Sequence, residues 1–235
     1  MTLKKKILVL GSTGMLGHQV VNYLKDFDKF IVDDISYRSK LRVNTVIVDA
    51  MSKLALEEAI VKLKPDFIIN CIGILVKGSQ NEERAIYLNA YLPNQLKTIA
   101  KNINSKLIHI STDCVFSGSK GQYVETDSRD GQGVYSQTKI LGEIIDNNVT
   151  GLYHITNNSS ISKYDLLKLF QKYTKKDIDI KSVDRKNVDK SFIDTRLLMN
   201  YKIPSYDEMI SDMASLIVNN RSLYSQYKVG SFDKE

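Results

Sequence analysis

Residues 7–17 read Ile-Leu-Val-Leu-Gly-Ser-Thr-Gly-Met-Leu-Gly, an aliphatic run of strand length that breaks into glycines spaced by three. An unbroken apolar run suits a strand covered on both faces, and the glycines permit a tight exit into a helix. Ile7–Leu10 thus predicts a first strand and Met15–Lys25 a helix. The alternation repeats: strands over Phe30–Tyr37, Thr45–Asp49, Phe67–Ile72 and Leu107–Thr112, with helices over Leu54–Leu63 (ended by Pro65), Glu82–Lys101 and Tyr135–Ile145. Strand and helix in strict turn specify an α/β fold, a Rossmann-like doubly wound parallel sheet.

Past Asp146 the rhythm changes. Leu152–Ile155 and Ile178–Val183 read as short strands, Ser162 as the cap of a helix over Lys163–Tyr173, and Tyr206–Val218 as a last helix. Residues 1–145 are therefore expected to form the nucleotide-binding domain and 146–235 a small, reduced C-terminal region. With 235 residues, 43% hydrophobic, the chain can bury one core and a lesser lobe.

The net charge of +6 comes from lysines scattered opposite apolar positions, a solvated basic face that predicts no nucleic-acid partner. The same surplus suits a phosphorylated cofactor and an anionic substrate. Cys71 and Cys114, the two cysteines, lie in apolar runs and read as buried thiols of a reducing compartment. Three scattered histidines predict no metal site. His109 and His154 read as core residues and His18 as a neighbour of the glycine turn. Met1–Lys6 runs straight into the first strand and no apolar run has the length of a membrane span, so a cytoplasmic protein without a membrane partner is expected.

At a strand-to-helix junction, Gly11 and Gly14 let the backbone approach a pyrophosphate, and Gly17 lets the helix pack closely on the strand. Thr13, Met15 and Leu16 complete that turn. At the end of the second strand Arg38 offers a partner for a 2′-phosphate, where NAD-preferring enzymes usually place a carboxylate. This favours NADPH, with NADH left open. Asp49, beside Ala50, reads either as a contact to an adenine amino group or as a helix cap. Cys71, Ile72 and Gly73 leave the fourth strand at the same edge, Gly73 allowing close approach to a cofactor. Asn89 reads either as the holder of a relay water or as a buried amide.

Tyr135 and Lys139, four apart on a helix, share one face. An ammonium beside a phenol is expected to lower the phenol's pKa and fit it for proton transfer to a carbonyl as hydride arrives. Thr112, at the carboxyl end of the fifth strand, can bond the same oxygen.

The glycine turn, Ser111-Thr112-Asp113-Cys114-Val115-Phe116 and the Tyr135/Lys139 pair resemble the extended short-chain dehydrogenase/reductase superfamily. With Tyr123-Val124-Glu125 and Ile161-Ser162-Lys163-Tyr164-Asp165-Leu166 they are similar to the dTDP-4-dehydrorhamnose reductase family in particular. The resemblance implies reduction of a 4-keto-6-deoxy sugar on a nucleoside diphosphate, with Thr112, Tyr135 and Lys139 as the catalytic set; a homodimer is compatible with it. One departure stands out. After Glu143-Ile144-Ile145 the family pattern continues through roughly sixty to eighty residues that are missing here, among them a sixth strand. Leu152–Ile155 is the candidate to fill that place beside the fifth strand. Two other readings stay open: a cofactor-binding regulatory protein, like the regulatory subunit of methionine adenosyltransferase, and a sugar epimerase or dehydratase holding NAD.

Overall fold

In the computed structural model, which describes residues 3–144, 152–183, 188–195 and 202–225, β1 (Lys5–Leu10) turns Leu8 and Leu10 to one face of a sheet and Ile7 and Val9 to the other. Burial of all four follows from helices on both faces. β2 (Phe30–Ser36), β3 (Val46–Ile47), β4 (Phe67–Asn70) and β5 (Lys106–His109) join it in the order β3-β2-β1-β4-β5, every pair parallel. The chain runs outward from β1 to β3 and then crosses back to β4. The carboxyl ends of β1 and β4 therefore flank the point where strand order reverses, the place where open α/β sheets take ligands.

α1 (Gly17–Leu24) packs Val21 on Ile7 and Val9. The opposite face carries the larger core, in which Leu56 and Ile60 of α2 (Lys53–Leu63) meet Leu92, Leu96 and Ile99 of α4 (Leu92–Asn102) over Leu8, Leu10 and Ile68. The helix expected over Glu82–Lys101 is interrupted. α3 (Glu82–Ile86) passes through a π turn at Tyr87–Tyr91 before α4 begins. Pro93 supplies the reason: it has no N–H for the carbonyl four residues back, that of Asn89, and its ring crowds that oxygen. α5 (Gly133–Ile144) packs on the π turn.

The described residues fall into two compact units. The first holds the sheet, with residues up to 117 and 128–144. The second holds 118–127 with the described residues beyond 151. In it, α6 (Lys163–Thr174) and α7 (Tyr206–Asn219) pack together, with Ser162 and Ser205 as N-caps and Glu208 closing a capping box on Ser205. Tyr123 bridges to Phe192, donating its N–H to the Ser191 carbonyl (2.8 Å) and accepting that of Ile193 (3.0 Å). The His154 ring stacks on Phe192 at 4.1 Å, and its Nδ1 bonds the Tyr123 carbonyl (3.0 Å).

Two strands expected from sequence are absent. Leu152–Ile155 and Ile178–Val183 have no ladder partners, and among the described residues nothing pairs with the outer edge of β5. The 152–155 run is held by single bonds instead, such as His154 N–H to the Glu125 carboxylate (2.9 Å). A run of four residues cannot make a strand without a partner backbone, and periodicity does not reveal the partner. The junction at 145–151, where the family pattern shortens, lies outside the described residues. No described helix is long and apolar enough to cross a membrane.

Candidate active site

The glycine turn is built by contact. Gly11 and Ser12 donate their N–H groups to the Ile35 carbonyl (2.9 and 3.1 Å), which ties the exit of β1 to the end of β2. Gly11 has φ +79°, open to glycine at no cost. A Cβ on Gly17 would fall 2.1 Å from the Gly11 oxygen, so only glycine lets α1 start this close to β1. Gly14, with Thr13, Met15 and Leu16, stands exposed on the turn's outer side, and His18 Nδ1 bonds the Gly14 carbonyl (2.8 Å). The Ser12 hydroxyl is buried without a partner among the described residues. The exposed turn at the start of α1 is the place where a pyrophosphate could meet a helix N-terminus, although the Gly14 N–H is already given to the Gly11 carbonyl (2.9 Å).

Across the crevice, Gly11 meets Ile72 and Cys71: a Cβ there would lie 3.0 Å from Ile72 Cγ1. Burial pushes the Cys71 thiol up to about 11, which leaves it inert at neutral pH. Asn70 uses its Oδ1 to accept the Ile72 N–H (3.0 Å) and so turns its amide hydrogens to His109 Nδ1 (3.1 Å). His109 must then accept at Nδ1. Burial first, and the Lys139 charge second, pull it down to about 4.

Next along, a Cβ on Gly73 would sit 3.0 Å from Lys139 Nζ and 3.4 Å from Asn89 Oδ1. The Asn89 amide is fully buried: Oδ1 accepts the Ile74 N–H (2.9 Å), and Nδ2 donates to the Ile74 carbonyl (3.0 Å) and the Thr138 hydroxyl (3.2 Å). Both amide hydrogens are committed to protein. Asn89 thereby clamps the exit of β4 to α5, which carries Tyr135 and Lys139.

Tyr135 and Lys139 are both buried; Thr112, beside the Tyr135 phenol, donates its hydroxyl to Asp113 (3.1 Å) and accepts the Cys114 N–H (3.2 Å). The expected lowering of the phenol is not what the structure gives. Burial raises Tyr135 above its ordinary value, Thr112 draws it partly back, and Cys114 and Asp113 raise it again. The Lys139 charge is not among the influences on it. Burial in turn lowers Lys139, opposed by the Glu143 carboxylate one turn further on. Glu143 accepts from the Ser111 hydroxyl and pairs with Arg129 Nε (3.1 Å).

Glu143 and Arg129 escaped the sequence reading. The spacing Tyr135, Lys139, Glu143 extends one helical stripe by another turn and was legible; the partnership with Arg129 across the loop was not. Asp49 accepts the Met51 N–H (2.9 Å), closing the turn that leads into α2 past buried Ala50. Arg38 lays its guanidinium over the Tyr37 ring, 4.6 Å from its centre. Asp34 is spent on Arg42, whose Nε donates to it at 2.9 Å.

Comparison with known proteins bears on the family and the fold. A family described as "RmlD substrate binding domain" matches residues 5–148. A dTDP-4-dehydrorhamnose reductase from Mycobacterium tuberculosis is 38% identical over 85 residues, 33% of this chain and 28% of that protein. The methionine adenosyltransferase 2 subunit beta of Xenopus laevis is 29% identical over 149 residues, 61% of this chain and 44% of that one. The matched stretch thus spans less than half the length of either relative. Among solved structures, a dTDP-4-dehydrorhamnose reductase from Bacillus anthracis in complex with NADP superposes with a TM-score of 0.73 at 16% identity, covering 89% of this chain and 98% of that one, which speaks for the fold.

Proposed function

This chain belongs to the RmlD substrate binding domain family, and from that premise we propose that it is an NADPH-dependent reductase of a 4-keto-6-deoxy sugar carried on a nucleoside diphosphate. The reading is carried by one observation: α5 buries the Tyr135 phenol beside Thr112 and holds the Lys139 ammonium 3.0 Å from where a Gly73 Cβ would lie. The bound dinucleotide supplies the hydride. Everything else falls to side chains. Tyr135 donates its proton to the carbonyl oxygen, and burial, by raising the phenol, keeps that proton in place at neutral pH. Thr112 bonds the same oxygen and orients it. Lys139 holds positive charge near the developing alkoxide, where a low-dielectric setting makes that charge effective. Gly11 and Gly14 leave room for the pyrophosphate, Gly17 lets α1 start close to β1, Gly73 leaves room for the nicotinamide end, and Arg38 faces the adenosine end.

The test is NADPH consumption by the intact chain with a dTDP-linked 4-keto-6-deoxy sugar. Tyr135→Phe should lower kcat at least about a hundredfold while NADPH still binds. A wild-type chain that binds NADPH tightly yet reduces no such sugar would sink the proposal. That outcome would favour the non-catalytic reading, supported by the likeness to methionine adenosyltransferase 2 subunit beta.

A further inference from the structure

Three arginines surround the end of β2, and they are not equivalent. Arg42 is neutralised: Nε donates to Asp34 (2.9 Å) and an Nη to the Val32 carbonyl (2.8 Å). Arg38 and Arg84 form no ion pair among the described residues. Both converge on Tyr37, with guanidinium carbons 4.6 and 5.6 Å from its ring centre. Arg84 reaches there from α3, and its Nε is buried without a hydrogen-bond partner. Glu82 and Glu83 of the same helix are exposed and pair with neither arginine.

Two guanidiniums drawn to one aromatic ring repel each other, and a buried donor without a partner is costly. The repulsion is offset if an anion binds beside them, since a phosphate accepts from two arginine forks at once. The location limits which anion. Tyr37 follows directly on β2, whose Ile35 carbonyl holds the Gly11 and Ser12 N–H groups (2.9 and 3.1 Å), so the cluster flanks the glycine turn without being part of it. A pyrophosphate would belong to the turn itself; an anion at Tyr37 would be a separate one.

We infer that Arg84 is a specificity-determining residue, which with Arg38 clamps the 2′-phosphate of the adenosine ribose over Tyr37. This rests on the cofactor reading above and adds to it an arm from α3, remote in sequence from the strand end.

Fluorescence titration of the intact chain with NADPH and with NADH tests it. Arg84→Met keeps an unbranched apolar side chain and removes the guanidinium that lies over Tyr37. It should weaken NADPH about tenfold or more and leave NADH within about twofold, with Arg84→Lys recovering part of the loss. Adenosine 2′,5′-bisphosphate should compete with NADPH in the wild type, and about tenfold less well in Arg84→Met. An unchanged NADPH-to-NADH ratio, or an equal loss of both, overturns the assignment while leaving the cofactor site standing. A wild-type chain that binds neither dinucleotide overturns both.

Discussion

Gly142 lies directly against the main-chain oxygen of Asn89: a Cβ at position 142 would come within 2.3 Å of it. The relationship begins with Pro93, which cannot donate to that carbonyl and so forces the π turn at Tyr87–Tyr91. Gly142 then lets α5 settle on the turn, and the Thr138 hydroxyl, bonded to the Asn89 amide, sets its rotation (3.2 Å). Gly142→Ala must move backbone against backbone. We expect a loss of about 1–3 kcal/mol in urea unfolding, in the range of other overpacked sites, and a drop in kcat from the displaced Tyr135 and Lys139. Unchanged stability would mean that the two helices separate without cost.

Gly73 makes a different case. Its nearest neighbour is the far end of a flexible side chain, Lys139 Nζ at 3.0 Å from the position of a Cβ. Gly73→Ala should therefore leave the melting temperature within a few degrees, because the ammonium can swing aside. Activity should fall at least about tenfold, since an ångström at a reacting centre is worth that much. The pair of measurements separates this position from Gly142, where stability and activity should fall together.

His109 predicts a pH dependence of folding. Its pKa is about 4 in the native protein against an ordinary 6.5, so between those values the unfolded chain binds the extra proton. The stability it confers is complete above about pH 6.5 and is lost as pH falls toward 4. The amount is at most about 3 kcal/mol. Urea midpoints from pH 4.5 to 7 should rise less steeply in His109→Gln than in wild type. Parallel curves would show that His109 is protonated in the native state.

Glu143 opposes the loss of the Lys139 proton, whereas burial promotes it. In Glu143→Gln the burial effect is left unopposed, and the ammonium discharges at lower pH. The alkaline limb of the kcat/KM profile should move down in pH, while NADPH affinity at pH 7 changes little. A limb that stays in place would assign Glu143 to holding Arg129 and Ser111 alone.

The order of elements through α5, the glycine turn and the shared helix of Tyr135 and Lys139 were legible in the chain, because each is a local matter. Apolar period sets strand or helix, glycine sets φ, and a spacing of four sets a shared helical face. The turn's tightness shows this: Gly17 is demanded by an oxygen only six residues away, that of Gly11.

What only the tertiary structure decided involves partners far apart in sequence. The clamp of Asn89 on Ile74 and Thr138, the pairing of Arg129 with Glu143, and the convergence of Arg84 on Tyr37 leave no periodic trace. Nor do the pKa directions, since burial of Tyr135, Lys139 and His109 depends on what packs over them. For the same reason Leu152–Ile155 has the composition of a strand without being one. A ladder needs a second backbone in register, and that second backbone is supplied by the fold.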